Sequence, residues 1–293
     1  MPFAAVDRLR SLPRRVRVRI LLGAALLASA AMPLVPPVAQ DPAYHAFADG
    51  RAFLGIPNFG DAASNLPFVA AGLLGIALIP FRGRAALNDP AERPPLAAFF
   101  GSLALTGAGS FYYHLAPDNA RLFWDRLPMA LLFASFLSVT VAERIGARAG
   151  ARLCLPLMAL GAASVLYWRL TEARDAGDLR PYALAQYLAI LLVLLAALLF
   201  PPRYTREADL LGAAAAYGLA KAAEALDRPI YALTGLASGH TLKHLLAGAA
   251  GALVLAMVLR RRPLPLTDSL PPCSPAPPAG PSAPSAPSGS RPA

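Results

Sequence analysis

The sequence predicts an all-α fold, a polytopic membrane protein in which a bundle of seven transmembrane helices follows an extra N-terminal hydrophobic helix or signal segment. Hydrophobic residues make up 56% of the 293 residues and charged residues only 15%, whereas an ordinary soluble domain is about 25% charged. The apolar residues are concentrated in stretches near the ~20 residues that a helix needs to cross a bilayer. The basic residues are concentrated between these stretches.

The first 39 residues combine a basic start with the first apolar run. Arginines are frequent up to residue 19, and the uninterrupted apolar run covers residues 20–32. Its short length and the small residues Ala28-Ser29-Ala30 are typical of a signal peptide, while continuation to about residue 39 gives a retained anchor, and both interpretations stay open. In either case the arginines lie inside, and residues 40–57 form a polar linker outside the membrane.

Seven further apolar segments follow in a domain that we predict for residues 58–262. They cover residues 62–80, 94–114, 122–142, 151–169, 181–200, 208–226 and 240–259. Prolines such as Pro80, Pro181 and Pro201 lie at the boundaries, where a missing amide does least harm. Residues 263–293 are rich in Pro, Ser and Ala and have too little apolar variety to bury a core, so we predict a disordered tail.

The distribution of basic residues predicts the orientation in the membrane. Arginine-rich groups occupy alternate connections, near residues 82–93, 144–152, 203–206 and 260–262. Because connections rich in Arg and Lys face the cytoplasm, these connections and the tail are predicted to be cytoplasmic, in a protein of the cell membrane. The net charge of +10 therefore reflects topology and not nucleic-acid binding, since the basic residues form no stripe with interleaved aromatic residues.

Three of the four histidines lie in or beside apolar segments. His240 and His244 are spaced i, i+4, which places both imidazoles on one face of a helix, and His114 ends an outward-running segment at a matching depth. Ionisable groups in membrane segments are costly and mark functional sites. Three neutral imidazoles leave one open position on a tetrahedral Zn²⁺ ion, as in catalytic sites. We therefore predict a zinc site. The alternative is that His240 and His244 lie at a helix end and form hydrogen bonds with neighbouring residues.

Asp125 and Ser110 are the predicted catalytic residues. Asp125 lies at the depth of His114 in the following inward-running segment, and a carboxylate near a metal-activated water can accept its proton. Taken alone, it is more simply a solvated charge at the membrane interface. Ser110 lies one turn before His114 and can stabilise an oxyanion, although in isolation it is more simply a small packing residue. Lys243 lies on another helix face and is predicted to extend outward.

Together these residues resemble the alkaline ceramidase family, within the CREST superfamily of seven-helix hydrolases and receptors. The resemblance covers residues 58–260 and is carried by Ser110-x3-His114, Asp125 with Pro128-Met129 behind it, His240-x3-His244 and Ser64-Asn65. It implies an intramembrane zinc held by the three histidines, Asp125 at the zinc-bound water and Ser110 near the scissile carbonyl. The reaction it implies is hydrolysis of the amide of ceramide or a related acylated lipid, which enters from the bilayer. A receptor-like lipid-binding protein with a structural zinc is the alternative.

Two features depart from the family pattern. Animal-type members carry an acid-rich calcium-binding segment before the first core helix, where this chain offers only Asp49, Asn58 and Asp61. The dependence on Ca²⁺ is therefore left open. Arg126 stands where an acidic residue commonly follows the aspartate, which changes the charge beside the site.

Overall fold

The computed structural model describes residues 2–82 and 87–264, which form a bundle of α-helices. These residues contain α1 (Pro2–Arg10), α2 (Arg14–Ala31), α3 (Phe59–Ala63), α4 (Leu66–Leu78), α5 (Arg93–Leu115), α6 (Asn119–Arg144), α7 (Ala147–Glu172), α8 (Arg180–Leu199), α9 (Glu207–Ala225), α10 (Asp227–Thr234) and α11 (Gly239–Arg260). The described part of the chain contains no β-sheet, which confirms the all-α prediction. The predicted tail, apart from its first two residues, lies outside the described residues.

Six helical stretches among the described residues are long and apolar enough to cross a membrane. They are Arg14–Leu34, Phe59–Leu78, Asn119–Arg144, Ala147–Glu172, Arg180–Leu199 and Gly239–Arg260. The other two predicted spans, 94–114 and 208–226, form α5 and α9 but are less apolar. Glycine, serine and tyrosine are frequent in α5, and α9 carries acidic and basic side chains. The number of seven spans therefore stays a prediction.

Neighbouring helices of the chain pack side by side from α4 to α8, and α11 packs against both α4 and α9. The bundle has one end at which α5 ends and α6 and α11 begin, which we call the histidine end because His114, His240 and His244 lie there. Outside the bundle, α2 packs along α8, where Leu21 joins a small apolar cluster with Ala196 and Leu199. Because α5 ends and α6 and α11 begin there, the histidine end is built from helix termini, which bring polar side chains together.

The linker of residues 40–57 folds over the histidine end. Its one regular element is a 3₁₀ turn at Pro42–His45, and His45 places its two ring nitrogens 2.8 Å from Tyr113 Oη and 2.9 Å from Asn119 Oδ1. The amide of Ala48 donates to Asp227 Oδ2 at 2.9 Å. The linker is thus tied to α5, α6 and α10.

Two glycines allow the helices of the histidine end to approach closely. A methyl group on Gly109 would lie 2.1 Å from the carbonyl oxygen of Trp124, and one on Gly239 would lie 2.1 Å from that of Ala223. These contacts join α5 to α6 beside Ser110 and α9 to α11 beside His240. Only a residue without a side chain permits such distances.

Gly109→Ala and Gly239→Ala are each expected to lower the free energy of unfolding by about 1–3 kcal/mol, because the added methyl group forces two backbones apart. Thermal unfolding of the purified protein in detergent measures the effect. Gly218→Ala is the matched control, since nothing lies within 4 Å of its added methyl group. An equal loss of stability in the control would contradict the packing argument.

Candidate metal centre

The structure brings together the three histidines that the sequence singled out. His114 is in the last turn of α5, and His240 and His244 are in the first two turns of α11. One ligand atom of each lies within 4.8 Å of the other two, and the ring centroids are 4.8 to 5.0 Å apart. All three side chains are buried, with at most 5% of the residue exposed. The cluster can therefore hold a metal ion.

Hydrogen bonding fixes which nitrogen of His244 is free to bind a metal. Its Nδ1 lies 3.0 Å from the backbone carbonyl oxygen of Asp61 and 3.0 Å from Ser64 Oγ. Because a carbonyl oxygen only accepts, Nδ1 must carry the proton, and the lone pair is on Nε2. Such a bond from the second ring nitrogen commonly orients a metal-binding histidine. His244 Nε2 is 3.5 Å from Ser110 Oγ, on the side of the predicted catalytic residues.

The surroundings of His114 also fit a bound metal. Its Nδ1 is buried and has no hydrogen-bond partner in the part of the chain that the structure describes. Leaving such a group without a partner is costly, and a metal ion is one partner that an imidazole lone pair takes. The backbone oxygen of His114 accepts a hydrogen bond from Asn58 Nδ2 at 2.9 Å, which holds the last turn of α5 in place. A set of three imidazoles suits zinc and other first-row transition metals.

Asp61 supports the cluster, a role that the sequence did not suggest. Its side chain is fully buried, and its Oδ1 accepts hydrogen bonds from Ser238 Oγ at 3.0 Å and Thr241 Oγ1 at 2.6 Å. Ser238 also caps α11, because its hydroxyl accepts from the amide of Thr241 at 2.9 Å. The carboxylate of Asp61 thus anchors the start of α11, while its carbonyl orients His244. Ser238 before the last apolar segment is a typical helix N-cap, but no sequence signal links it to Asp61.

The three residues considered for calcium have protein partners. Asp49 Oδ2 accepts a hydrogen bond from Arg51 Nη2 at 2.7 Å, and this bonding lowers the pKa of the Asp49 carboxyl below its usual value. Asn58 donates to His114 and Asp61 accepts from α11, as described above. The dependence on Ca²⁺ stays open.

The linker separates the histidines from the solvent at the histidine end. The ring of Phe47 lies 4.7 Å from that of His114 and 4.4 Å from that of His240, between centroids. It also meets Tyr113 edge-on at 5.9 Å. This cover removes water from one side of the cluster and lowers the local dielectric constant, which strengthens electrostatic interactions there.

Of the three histidines, His244 lines a cavity of about 380 Å³. Ser110, Asp125 and His244 line its polar end, and the remaining wall is mostly apolar and comes from α5, α6, α8, α9 and α11. The wall includes Phe99, Leu103, Phe136, Val193, Leu194 and Val254. The structure thus brings both predicted catalytic residues to one cavity. Only 6% of Asp125 is exposed, which is not the exposure of a solvated interfacial charge.

The prediction that Lys243 extends outward is wrong. Lys243 lines the cavity, and its Nζ lies 2.8 Å from Glu224 Oε1 and 3.3 Å from His240 Nε2. Glu224 also pairs with Lys221. The close packing of α9 on α11 at Gly239 brings Glu224 within reach, and this partly buried ion pair retains the lysine inside. Neither Glu224 nor Lys221 received a role from the sequence.

No model of a known protein family and no curated protein matches the chain. The resemblance to the alkaline ceramidases therefore depends on the residues quoted above. The geometry of these residues carries the functional argument.

Replacing His114, His240 or His244 with Ala is expected to reduce the bound metal from about one ion per chain to a small fraction, because two imidazoles hold a metal far less tightly than three. Elemental analysis of the purified protein measures the metal. His45→Ala is the control, since His45 bonds to Tyr113 and Asn119 outside the cluster. Full retention in all three cluster variants would contradict the site.

Proposed function

We propose that the protein is a zinc-dependent intramembrane hydrolase that cleaves the amide bond of ceramide or a related acylated lipid, in the manner of an alkaline ceramidase. One observation carries the proposal: His244, a member of the buried cluster of three histidines, lines the polar end of a largely apolar cavity together with Asp125 and Ser110. A lipid amide needs this combination, since its carbonyl requires polar groups and its acyl chain requires an apolar wall.

The chemistry divides between the metal and the side chains. When bound, zinc acts as a Lewis acid that polarises a carbonyl and makes water more acidic. Asp125 accepts a proton as the water oxygen adds to the amide carbon, and the hydroxyl of Ser110 donates a hydrogen bond to the carbonyl oxygen. The carbon–nitrogen bond then breaks, and Asp125 returns the proton to the leaving nitrogen. The products are a fatty acid and an amine.

The cavity suits an acyl chain that comes from the membrane. Its volume lies in the range of about 300–1,000 Å³ that is usual for ligand pockets. Its wall includes Tyr187 and Leu194 of α8 and Tyr217 of α9. The helices α8 and α9 pack less closely against each other than α7 against α8 or α9 against α11, although Gln186 Nε2 donates a hydrogen bond of 2.9 Å to Tyr217 Oη. We propose that the lipid enters between these two helices, with its amide at the histidine end.

Asp125→Asn is expected to retain the metal and to lower kcat by about 10²–10⁴-fold, because an amide cannot accept the proton of the water. Hydrolysis of ceramide by the pure protein in detergent, with and without a zinc chelator, measures the activity. The chelator should abolish turnover and added zinc should restore it. Tight lipid binding without turnover would instead favour a receptor-like protein with a structural metal, and wild-type rates in Asp125→Asn would assign the base elsewhere.

The arginine-rich connections are proposed to face the cytoplasm, which places the histidine end toward the outside. A variant with Arg174→Cys, Cys154→Ala and Cys273→Ser carries its one thiol at position 174. This thiol should react with an impermeant thiol reagent in intact cells. In the Cys154→Ala variant, the native Cys273 of the tail should react only after the membrane is permeabilised. The reverse pattern of labelling would overturn the proposed orientation and the side assigned to the site.

A further inference from the structure

Arg126 is a buried cation whose hydrogen-bond donors are not all used. Only 6% of the residue is exposed, and its Nη2 donates to Gln40 Oε1 at 2.6 Å. Its Nη1 is buried and has no hydrogen-bond partner among the described residues, and within them Arg126 forms no ion pair. An unpaired guanidinium in a dry interior is costly. This position therefore favours an anionic partner from outside the chain.

Three aromatic rings hold the guanidinium of Arg126 in place. Its Cζ lies 4.4 Å from the ring of Trp168, 5.3 Å from that of Tyr182 and 5.5 Å from that of Tyr44, measured to the centroids. Such contacts attract a cation to the faces of the rings. The rings nevertheless leave Nη1 without an acceptor for its N–H groups. The rings orient the side chain, and a planar carboxylate or a phosphate is the group that its fork of donors fits best.

Arg126 faces the same cavity as the candidate catalytic residues, and that cavity has a surplus of positive charge. Its lining contains three basic residues, Lys221, Lys243 and Arg126, and two acidic residues, Asp125 and Glu224. Glu224 is shared between the two lysines. A bound Zn²⁺ would add to this surplus. A neutral head group would leave the surplus without compensation, whereas a negative charge on the ligand would reduce it.

We propose that Arg126 binds an acidic group, a carboxylate or a phosphate, on the amine portion of the substrate lipid. This inference rests on the proposed function, because Asp125, the residue assigned to the reacting amide, lines the same cavity as Arg126. A group held by Arg126 therefore belongs to the same ligand as that amide. The preferred substrates are N-acylated lipids with an acidic head, such as an N-acyl amino acid, and neutral ceramide is a poorer substrate.

The test compares lipids that share one acyl chain and differ only in the head group. N-dodecanoyl-β-alanine carries a carboxylate where N-dodecanoyl-3-aminopropanol carries a hydroxymethyl group, and the phosphate ester of N-dodecanoylethanolamine provides the phosphate arm. We expect kcat/KM of the full-length, metal-loaded protein to be at least about tenfold higher for an acidic lipid than for the neutral one, as charged hydrogen bonds imply. The relative rates of the two acidic lipids identify which anion the site prefers.

Arg126→Gln is expected to remove most of this preference, mainly through a higher KM for the acidic lipid. Arg126→Lys keeps the charge but loses the planar fork, so it should retain part of the preference. Arg174→Gln is the matched control, because Arg174 is exposed and does not line the cavity. Metal content and thermal unfolding of each variant show whether it folds. If Arg126→Gln does not fold, the same comparison of the acidic and neutral lipids is made with the wild-type protein and Arg126→Lys. A smaller preference in Arg126→Lys than in the wild type then supports the site.

Lipid binding separates this inference from the proposed function. Trp168 touches Arg126, so tryptophan fluorescence in a Trp124→Phe background reports binding without any turnover. If no lipid is hydrolysed but the acidic lipid binds at least about tenfold more tightly than the neutral one, and Arg126→Gln loses this difference, the head-group site stands and the amidase proposal fails. Equal binding of the acidic and neutral lipids, or a preference that survives in Arg126→Gln, would overturn the head-group site.

Discussion

The hydrogen bond from His244 Nδ1 to the backbone carbonyl of Asp61 is the interaction on which the geometry of the site depends. It fixes the tautomer of His244 and directs the Nε2 lone pair toward Ser110 and the other two histidines. The same Asp61 anchors the start of α11 through Ser238 and Thr241. One acidic residue in the short helix α3 therefore sets both the position of α11 and the orientation of a ring on it.

The site is dry on one side and apolar on the other, and both properties matter for the proposed chemistry. Phe47 covers the histidine rings, while the cavity beyond Asp125 is lined mostly by apolar side chains. In such surroundings electrostatic effects are stronger than in water, and a preorganised hydroxyl or carboxylate acts without competition from solvent. The same surroundings strengthen the electrostatic interactions of two cations, the buried Arg126 and the partly buried Lys243. They are therefore expected to discriminate between charged and neutral ligands.

Much of the fold and of the histidine cluster could be predicted from periodicity and spacing. The i, i+4 pair His240 and His244 follows from helix geometry alone, and the alternation of charged connections predicted that His114 lies at the same end. The role of Asp61 was not predictable, because it depends on a backbone carbonyl and on contacts between distant helices. The inward direction of Lys243 was missed because a helix wheel does not show that Glu224 of another helix lies opposite. Phe47 lies in a linker whose sequence has no hydrophobic periodicity, so no pattern predicted its position over the rings of His114 and His240.

X-ray absorption at the zinc edge of the purified full-length protein tests the central claim most directly, because it identifies the ligands of the metal without reference to any activity. We expect about three imidazole nitrogens at about 2.0–2.1 Å from the zinc, one further light atom, and no sulfur at about 2.3 Å. The characteristic outer-shell signal of imidazole should disappear in step with metal content in the histidine variants. A spectrum dominated by sulfur, or one without imidazole scattering, would contradict the proposal that His114, His240 and His244 hold the metal.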